Sequence, residues 1–313
     1  MIFSKIFLIF ILLQTVIYAQ TENLEKVKLQ LQWKYQFQFA GFIVAKEMGY
    51  YKDVGLDVEM IEYQNKDTIQ ELENGHVDYA MSNALIAYND NKLRDVTLIA
   101  TYFQRSPLVI ITQPEIKSVI NLKNTTLMIG ENDRLNSSLT LLLDYFDINN
   151  KNTNIVAQSY NINDFIDKKV DACTAFRSNE LFMLDKKKVP YNIIDPVEYG
   201  FTTNANNIFI SHEKLKNNPQ QVKNFLSATK KGWKYALENI DETAELIHSK
   251  YQPDKSLQHL VYEGEVTKKL MLLDIYDIGE INREFVLQNF KLLLKNNKID
   301  STQTSDNIMF NNK

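Results

Sequence analysis

The sequence predicts an α/β protein built as two lobes. Three observations carry that expectation. Segments with strand and helix periodicity alternate from Val27 onward, the alternation restarts near Ser106, and Glu71–Ala80 is echoed by Asp164–Cys173. Alternating strands and helices are the pattern of parallel sheets covered by helices.

Taken in order, Val27-Lys28-Leu29-Gln30-Leu31-Gln32-Trp33 alternates apolar and polar residues with period two and reads as a strand. Phe42, Ile43, Ala45 and Met48 fit a helix within Phe39–Tyr51, punctuated by Gly49 and Gly55. Leu56–Met60 resumes strand alternation. A helix over 67–73, a stop at Gly75, a strand over 77–81, a helix from Ala84 and a strand over 96–100 complete the first round. The second round has strands at 108–112, 126–129, 155–158 and 170–175, with helices at 135–145 and 162–167.

After Asp195-Pro196 a short strand over 207–210 leads into a helical tail at 219–238, 241–250, 256–270 and 282–294. Pro219 suits a first helical turn. Phe225, Leu226, Thr229, Trp233, Ala236 and Leu237 form one apolar stripe, expected to pack in the core. The polar residues 302–313 are expected to fray. In the echo, Val77-Asp78 and Val170-Asp171 each open a strand, with Ser82 and Thr174 at the far ends. Ligands collect at the carboxyl edges of such strands. The organisation expected is therefore a leader over 1–19, the first part of lobe 1 over 20–103, lobe 2 over 104–198, and a return to lobe 1 with the helical tail over 199–301.

The start, Met-Ile-Phe-Ser-Lys followed by an apolar run from Ile6 and a small residue at Ala19, has the form of a secretory signal. The run is shorter than the roughly 20 apolar residues that span a bilayer. No cysteine lies beside Ala19, so no lipidated mature N-terminus is expected. Losing Lys5 with the leader would take the formal charge from −4 to −5. A mildly acidic, mixed-charge chain is not built for a phosphate backbone, so no nucleic-acid partner is expected. The single cysteine, Cys173, has no intrachain partner and reads as a small buried apolar residue. His76, His212, His248 and His259 are scattered without metal-ligand spacing.

The segment richest in possible ligand contacts is Gln32-Trp33-Lys34-Tyr35-Gln36-Phe37-Gln38-Phe39, at the end of the first strand. Aromatic faces stack on flat heterocycles, and amides both donate and accept. Phe42 is assigned to the buried face of the helix, whereas Trp33 and Phe37 are read as ligand contacts. A second edge is Met81-Ser82-Asn83, and a third runs from Thr174 through Phe176, Ser178 and Asn179 to Glu180. Ser82 and Ser178 could equally cap following helices, and the macrodipole alone would favour Glu180 in a first helical turn. Facing a cleft, Glu180 could instead accept hydrogen bonds from an aminopyrimidine.

Trp33 with Phe39-Ala40-Gly41-Phe42-Ile43-Val44-Ala45-Lys46-Glu47, then Gly49-Tyr50-Tyr51-Lys52 and Gly55-Leu56-Asp57-Val58, resembles the opening of the thiamine-pyrimidine and sulfonate-type periplasmic binding proteins. Further matches are Gln104–Leu108, Asp171-Ala172, Asn179-Glu180, Pro190–Ile194, Tyr199-Gly200 and Lys231–Ala236, so the likeness spans nearly the whole mature chain. The resemblance implies a two-lobed periplasmic binding fold of type II, with two crossover strands and a hinge, acting as a monomer that captures a small molecule. It also implies roles by position. Trp33 and Phe37 stack, Ser82, Asn83 and Gln104 reach polar edges, and Glu180 pairs with an amino-pyrimidine. Beside these, the residues themselves offer Gln36 and Phe39 of the aromatic loop and Thr174, Phe176 and Asn179 of the third edge as expected ligand contacts. One departure stands out: relatives carry an aromatic-Gly-Asp segment where this chain has Asn204-Ala205-Asn206-Asn207.

Three roles remain open at this point. The first is a periplasmic receptor for an ABC importer. The second is a sensing module for a membrane signalling partner, although relatives of that kind continue into a transmembrane helix that is not found here. The third is an enzyme akin to the eukaryotic relatives that build the thiamine pyrimidine with iron and pyridoxal. Those look rich in cysteine and histidine, so this chain is expected to be a non-enzyme without cofactor.

Overall fold

The computed structural model describes residues 24–130, 133 and 138–310. The expected leader lies outside the described residues, as do residues 135–137 of the helix expected at 135–145. Two five-stranded sheets dominate. The first has the order β2-β1-β3-β12-β6, formed by β1 (Glu25–Gln30), β2 (Leu56–Ile61), β3 (Tyr79–Ser82), β6 (Val96–Phe103) and β12 (Ala205–Ser211). The second has the order β11-β7-β10-β8-β9, formed by β7 (Leu108–Thr112), β8 (Thr126–Ile129), β9 (Asn154–Ala157), β10 (Ala172–Phe176) and β11 (Asn192–Ile194).

The two sheets share one plan. β1 lies parallel between β2 and β3, and β8 lies parallel between β9 and β10. The next strand is antiparallel in both, β12 on β3 and β7 on β10. These antiparallel strands arrive from the other lobe: β6 leads through 104–107 into β7, and β11 leads through 195–204 into β12. The echo in the sequence has a physical basis here. Asp78 Oδ2 accepts the Lys28 N–H at 2.8 Å while the Asp78 N–H returns to Lys28 O at 3.0 Å. Asp171 Oδ2 accepts the Thr126 N–H at 2.7 Å and the Asp171 N–H returns to Thr126 O at 3.0 Å. Each aspartate thus pins the start of its strand to the central parallel neighbour.

The helices are α1 (Ala40–Glu47), α2 (Thr68–Glu73), α3 (Ser138–Tyr145), α4 (Asn163–Ile166), α5 (Glu180–Lys186), α6 (His212–Asn217), α7 (Pro219–Glu238), α8 (Ile240–Lys250), α9 (Leu257–Met271) and α10 (Arg283–Lys295). The stripe on α7 enters the core of lobe 1. Phe225 stacks on Tyr79 with centroids 4.1 Å apart, and Trp233 meets Phe42 and Tyr102 at 6.1 and 5.6 Å. α1 and α7 cross at glycines: a Cβ on Gly232 would fall 2.0 Å from Gly41 O.

Two expectations are corrected. The helix from Ala84 is instead a short hairpin of β4 (Tyr88–Asn89) and β5 (Lys92–Leu93). Asp90 and Asn91 turn it with φ of 47° and 63°, the paired positive φ that a two-residue hairpin demands. The C-terminal segment does not fray throughout. Ile308 and Met309 are buried, the Leu98 N–H donates to Ile308 O and the Phe310 N–H to Leu98 O, both at 2.8 Å. The edge of β6 offers unpaired backbone groups that this segment satisfies.

At the hinge, Asp195 Oδ2 accepts from Arg177 at 2.8 Å and Arg105 at 3.0 Å, binding the two crossovers together. No helix among the described residues is long and apolar enough to cross a membrane.

Candidate functional site

The carboxyl ends of β1 and β3 face those of β8, β9 and β10 across a cleft of about 220 Å³ lined by both lobes. Trp33, three residues past the end of β1, is flanked by Tyr63 of lobe 1, with centroids 5.8 Å apart and planes at 22°, and by Tyr160 of lobe 2 at 4.9 Å and 52°. Tyr160 holds φ at 58°, which turns the loop after β9 toward the tryptophan. This aromatic group spans the mouth of the cleft.

The floor contributed by lobe 1 is made of amides. Gln32 Nε2 donates to Asn83 Oδ1 and Asn206 Oδ1, each at 2.9 Å, and Gln38 Nε2 donates to the same Asn206 oxygen at 2.9 Å. Asn206 sits at φ 58°, a left-handed position that asparagine tolerates better than most residues. The Asn204–Asn207 departure therefore supplies the hub of the amide floor. Gln32 Oε1 is buried without a hydrogen-bond partner. Such an orphaned acceptor costs about 1–3 kcal/mol.

Lobe 2 contributes carboxylates. Glu180 opens α5, its Oε2 accepting the Phe176 N–H at 2.7 Å and its Oε1 accepting from Asn179 Nδ2 at 2.6 Å. Burial pushes its pKa up, against the pull of those donors. Asp133 lines the same wall. Burial raises its pKa to about 7, the Glu180 charge adds to the rise, and a hydrogen bond from the Thr174 hydroxyl opposes it. The two cationic side chains among the described lining residues are already engaged: Arg94 by Asp67 and Glu73 at 2.6 and 2.7 Å, and Lys66 by Glu71 at 3.6 Å.

Of the residues singled out in the sequence, Trp33, Gln36, Ser82, Asn83, Thr174, Phe176, Asn179 and Glu180 all line this cleft. Three do not. Phe37 and Phe39 have no exposed surface and belong to the core of lobe 1, where Phe37 packs so close to Gly264 that a Cβ there would meet its ring at 2.9 Å. Gln104 is buried at the first crossover, donating to Glu280 O at 2.8 Å and accepting from Asn204 Nδ2 at 2.9 Å. Ser82 caps no helix; its hydroxyl accepts the Ala84 N–H at 3.1 Å.

Sequence reasoning missed Tyr63, Asp133, Gln158, Tyr160 and Asn206. A lone aromatic in the polar run Gln158-Ser159-Tyr160-Asn161, just past a strand, was the available signal for Tyr160. Among the described residues, no group of three or more His, Cys, Asp or Glu side chains is placed to hold a metal ion. Cys173 is buried, and burial drives its thiol pKa well up.

Two lobes of one sheet plan, joined by two crossovers and facing each other across a cleft, define the two-lobed fold of periplasmic solute-binding proteins. Solved structures share it. A protein of Bordetella bronchiseptica superposes with a TM-score of 0.72 at 16% identity, covering 92% of this chain and 95% of that one. The periplasmic aliphatic sulphonate binding protein SsuA of Escherichia coli gives 0.64 at 13% identity, covering 88% and 94%. The chain belongs to the NMT1/THI5-like family, whose model matches residues 36–243. It is also similar to the riboflavin-binding protein RibY of Chloroflexus aurantiacus, 23% identical over 257 residues, or 79% of this chain and 72% of that protein.

Proposed function

We propose that this protein is a periplasmic, non-catalytic receptor that captures a planar nitrogen heterocycle bearing amino or ring N–H donors, of the thiamine-pyrimidine precursor type, and hands it to an ABC importer. The observation that carries this reading is the pairing of an aromatic wall, Trp33 in contact with Tyr160, with the two carboxyl groups of Glu180 and Asp133 in the same cleft. Aromatic faces take up a flat ring. Carboxyl oxygens supply acceptors for an amino group and a ring N–H. The same pair disfavours a sulfonate, because the cations of the lining are already neutralised by carboxylates of their own.

A second reading, an isoalloxazine ligand, draws on the similarity to RibY. An amide floor would suit its alternating carbonyls and ring N–H. Thermal melting decides between them, since a ligand that binds only the folded state adds RT ln(1 + [L]/Kd), about 2.7 kcal/mol at a hundredfold excess over Kd. An aminopyrimidine is expected to raise the Tm most in a panel with thiamine, riboflavin and alkanesulfonates. A shift from riboflavin alone would establish the second reading, and a shift from a sulfonate alone would overturn both.

A further inference from the structure

Lys255 stands just ahead of α9, where lobe 1, lobe 2 and the helical tail meet, with its side chain 15% exposed. It is not among the residues lining the cleft. An ammonium group only donates, so each partner must present an oxygen. Lys255 Nζ donates to Gln36 Oε1 of lobe 1 at 3.0 Å, to Asn179 Oδ1 of lobe 2 at 2.9 Å, and to Glu263 Oε1. Three protons meet three acceptors.

An amide whose oxygen is claimed has only its NH2 left to turn elsewhere. Asn179 Nδ2 therefore donates to Glu180 Oε1 at 2.6 Å. Gln36 Nε2 donates to Gln38 Oε1 at 2.6 Å, and Gln38 Nε2 in turn donates to Asn206 Oδ1 at 2.9 Å. Asn206 spends its Nδ2 on Gln38 O at 2.8 Å, and its Oδ1 also accepts Gln32 Nε2. The relay ends with Gln32 Oε1 lacking a donor. Two amide chains thus begin at one cation and end at oxygens, the Glu180 carboxylate in lobe 2 and the Gln32 amide in lobe 1, both on residues that line the cleft.

We propose that Lys255 is a positioning residue that fixes the hydrogen-bond polarity of the cleft, turning the Gln36 and Asn179 amides so that the chains they start end on acceptor oxygens, Gln32 Oε1 and the Glu180 carboxylate, for a donor-rich ligand. The inference rests on the aminopyrimidine reading and gives it a mechanism of selection. Glu263 holds the cation in place, its Oε2 also accepting the Phe37 N–H at 2.9 Å. Without the ammonium, Gln36 and Asn179 can turn over, exchanging oxygen for NH2, and the cleft loses its bias while its stacking faces remain.

The test compares a 4-aminopyrimidine with its 4-oxo counterpart by calorimetry. Lys255→Met is combined with Glu263→Gln so that no buried carboxylate is left unpaired. The native protein is expected to favour the amino probe by about tenfold or more, in line with sites built around a specific donor. The double variant should bring the ratio to within about threefold, and Lys255→Arg, which keeps a cationic donor, should retain most of it. An unchanged ratio in a folded double variant would overturn the proposal. If that variant does not fold, Gln36→Glu breaks the relay one step on, since a carboxylate there cannot donate to Gln38, and the same loss of ratio is expected or the proposal fails.

If the native protein binds neither probe, the ligand reading fails, and Lys255 is judged on the ligand-free protein instead. There the side-chain amide NMR signals of Gln36, Gln38 and Asn179 should be sharp and dispersed in the native chain and averaged in the double variant. Identical signals in both would refute the role given to Lys255.

Discussion

The two lobes share a sheet order and the same aspartate lock, yet they are stabilised differently. Lobe 1 carries the helical tail, and most of its largest buried side chains, among them Trp233, Tyr51, Tyr79, Phe42, Phe103 and Phe225, join one large cluster, with a second, smaller one around Phe209. The apolar residues of lobe 2 divide into two smaller clusters, built mainly from aliphatic side chains. Burial scales with the surface removed from water, so the same backbone plan makes a firm base in one half and a lighter cover in the other. The chemistry leans the same way, with the linked amides Gln32, Gln38, Asn83 and Asn206 in lobe 1 and the carboxyl pair Glu180 and Asp133 in lobe 2.

That contrast can be broken most severely at the crossing of α1 and α7. Gly232→Ala puts a Cβ against the backbone of Gly41 and Ala45, at 2.0 and 2.8 Å. A loss of more than about 4 kcal/mol is expected in urea titrations, because backbone cannot yield as a side chain can. If lobe 1 is the base, both lobes should unfold in a single transition at lower urea.

Asp133→Asn sharpens the electrostatic half of the comparison. Its folded pKa of about 7 lies above the ordinary value of 3.8, so the folded state holds a proton that the unfolded state releases. The contribution of Asp133 to the stability of the ligand-free native protein is therefore greatest below about pH 4 and falls as pH rises toward 7. The variant should gain roughly 2–4 kcal/mol over the native protein at pH 8 and nothing at pH 4, by thermal melting. Gln32→Ala in lobe 1 should leave that pH profile unmoved.

Asp78→Ala and Asp171→Ala remove the paired locks. Each is expected to cost about 1–3 kcal/mol, since each leaves a strand N–H without its acceptor. Unequal losses would show that the lobes tolerate the same defect differently. The smallest effect belongs to the mouth of the cleft. Trp33→Ala and Tyr160→Ala should each weaken ligand binding about tenfold, or 1.4 kcal/mol, with little change in the Tm of the free protein.

Much of the architecture was legible because it rests on local periodicity and on the Val-Asp echo. Pro219–Glu238 reads from its proline start and apolar stripe, and the second-round strands read from the restart of the strand and helix alternation near Ser106. The aromatic loop after β1 was harder. Trp33 and Phe37 look alike in sequence, but Phe37 lies in a one-turn 3-10 helix that points its ring inward against α9, whereas Trp33 stays at the opening. Asp133, Tyr160, Asn206 and Lys255 meet only through folding, and nothing local to any of them announces the others. The Asp90-Asn91 turn did carry a local signal, paired residues that tolerate positive φ, overlooked in favour of helical spacing.

The chain has two tryptophans, and they sit in opposite surroundings. Trp233 has no exposed surface, while Trp33 stands between two tyrosines at the entrance to the cleft. The emission of one is therefore shielded from solutes, and that of the other is open to quenching by whatever slides against its ring. Under the proposed function, Trp33 emission would follow occupancy of the cleft while Trp233 serves as an internal standard, so titrations need no attached dye.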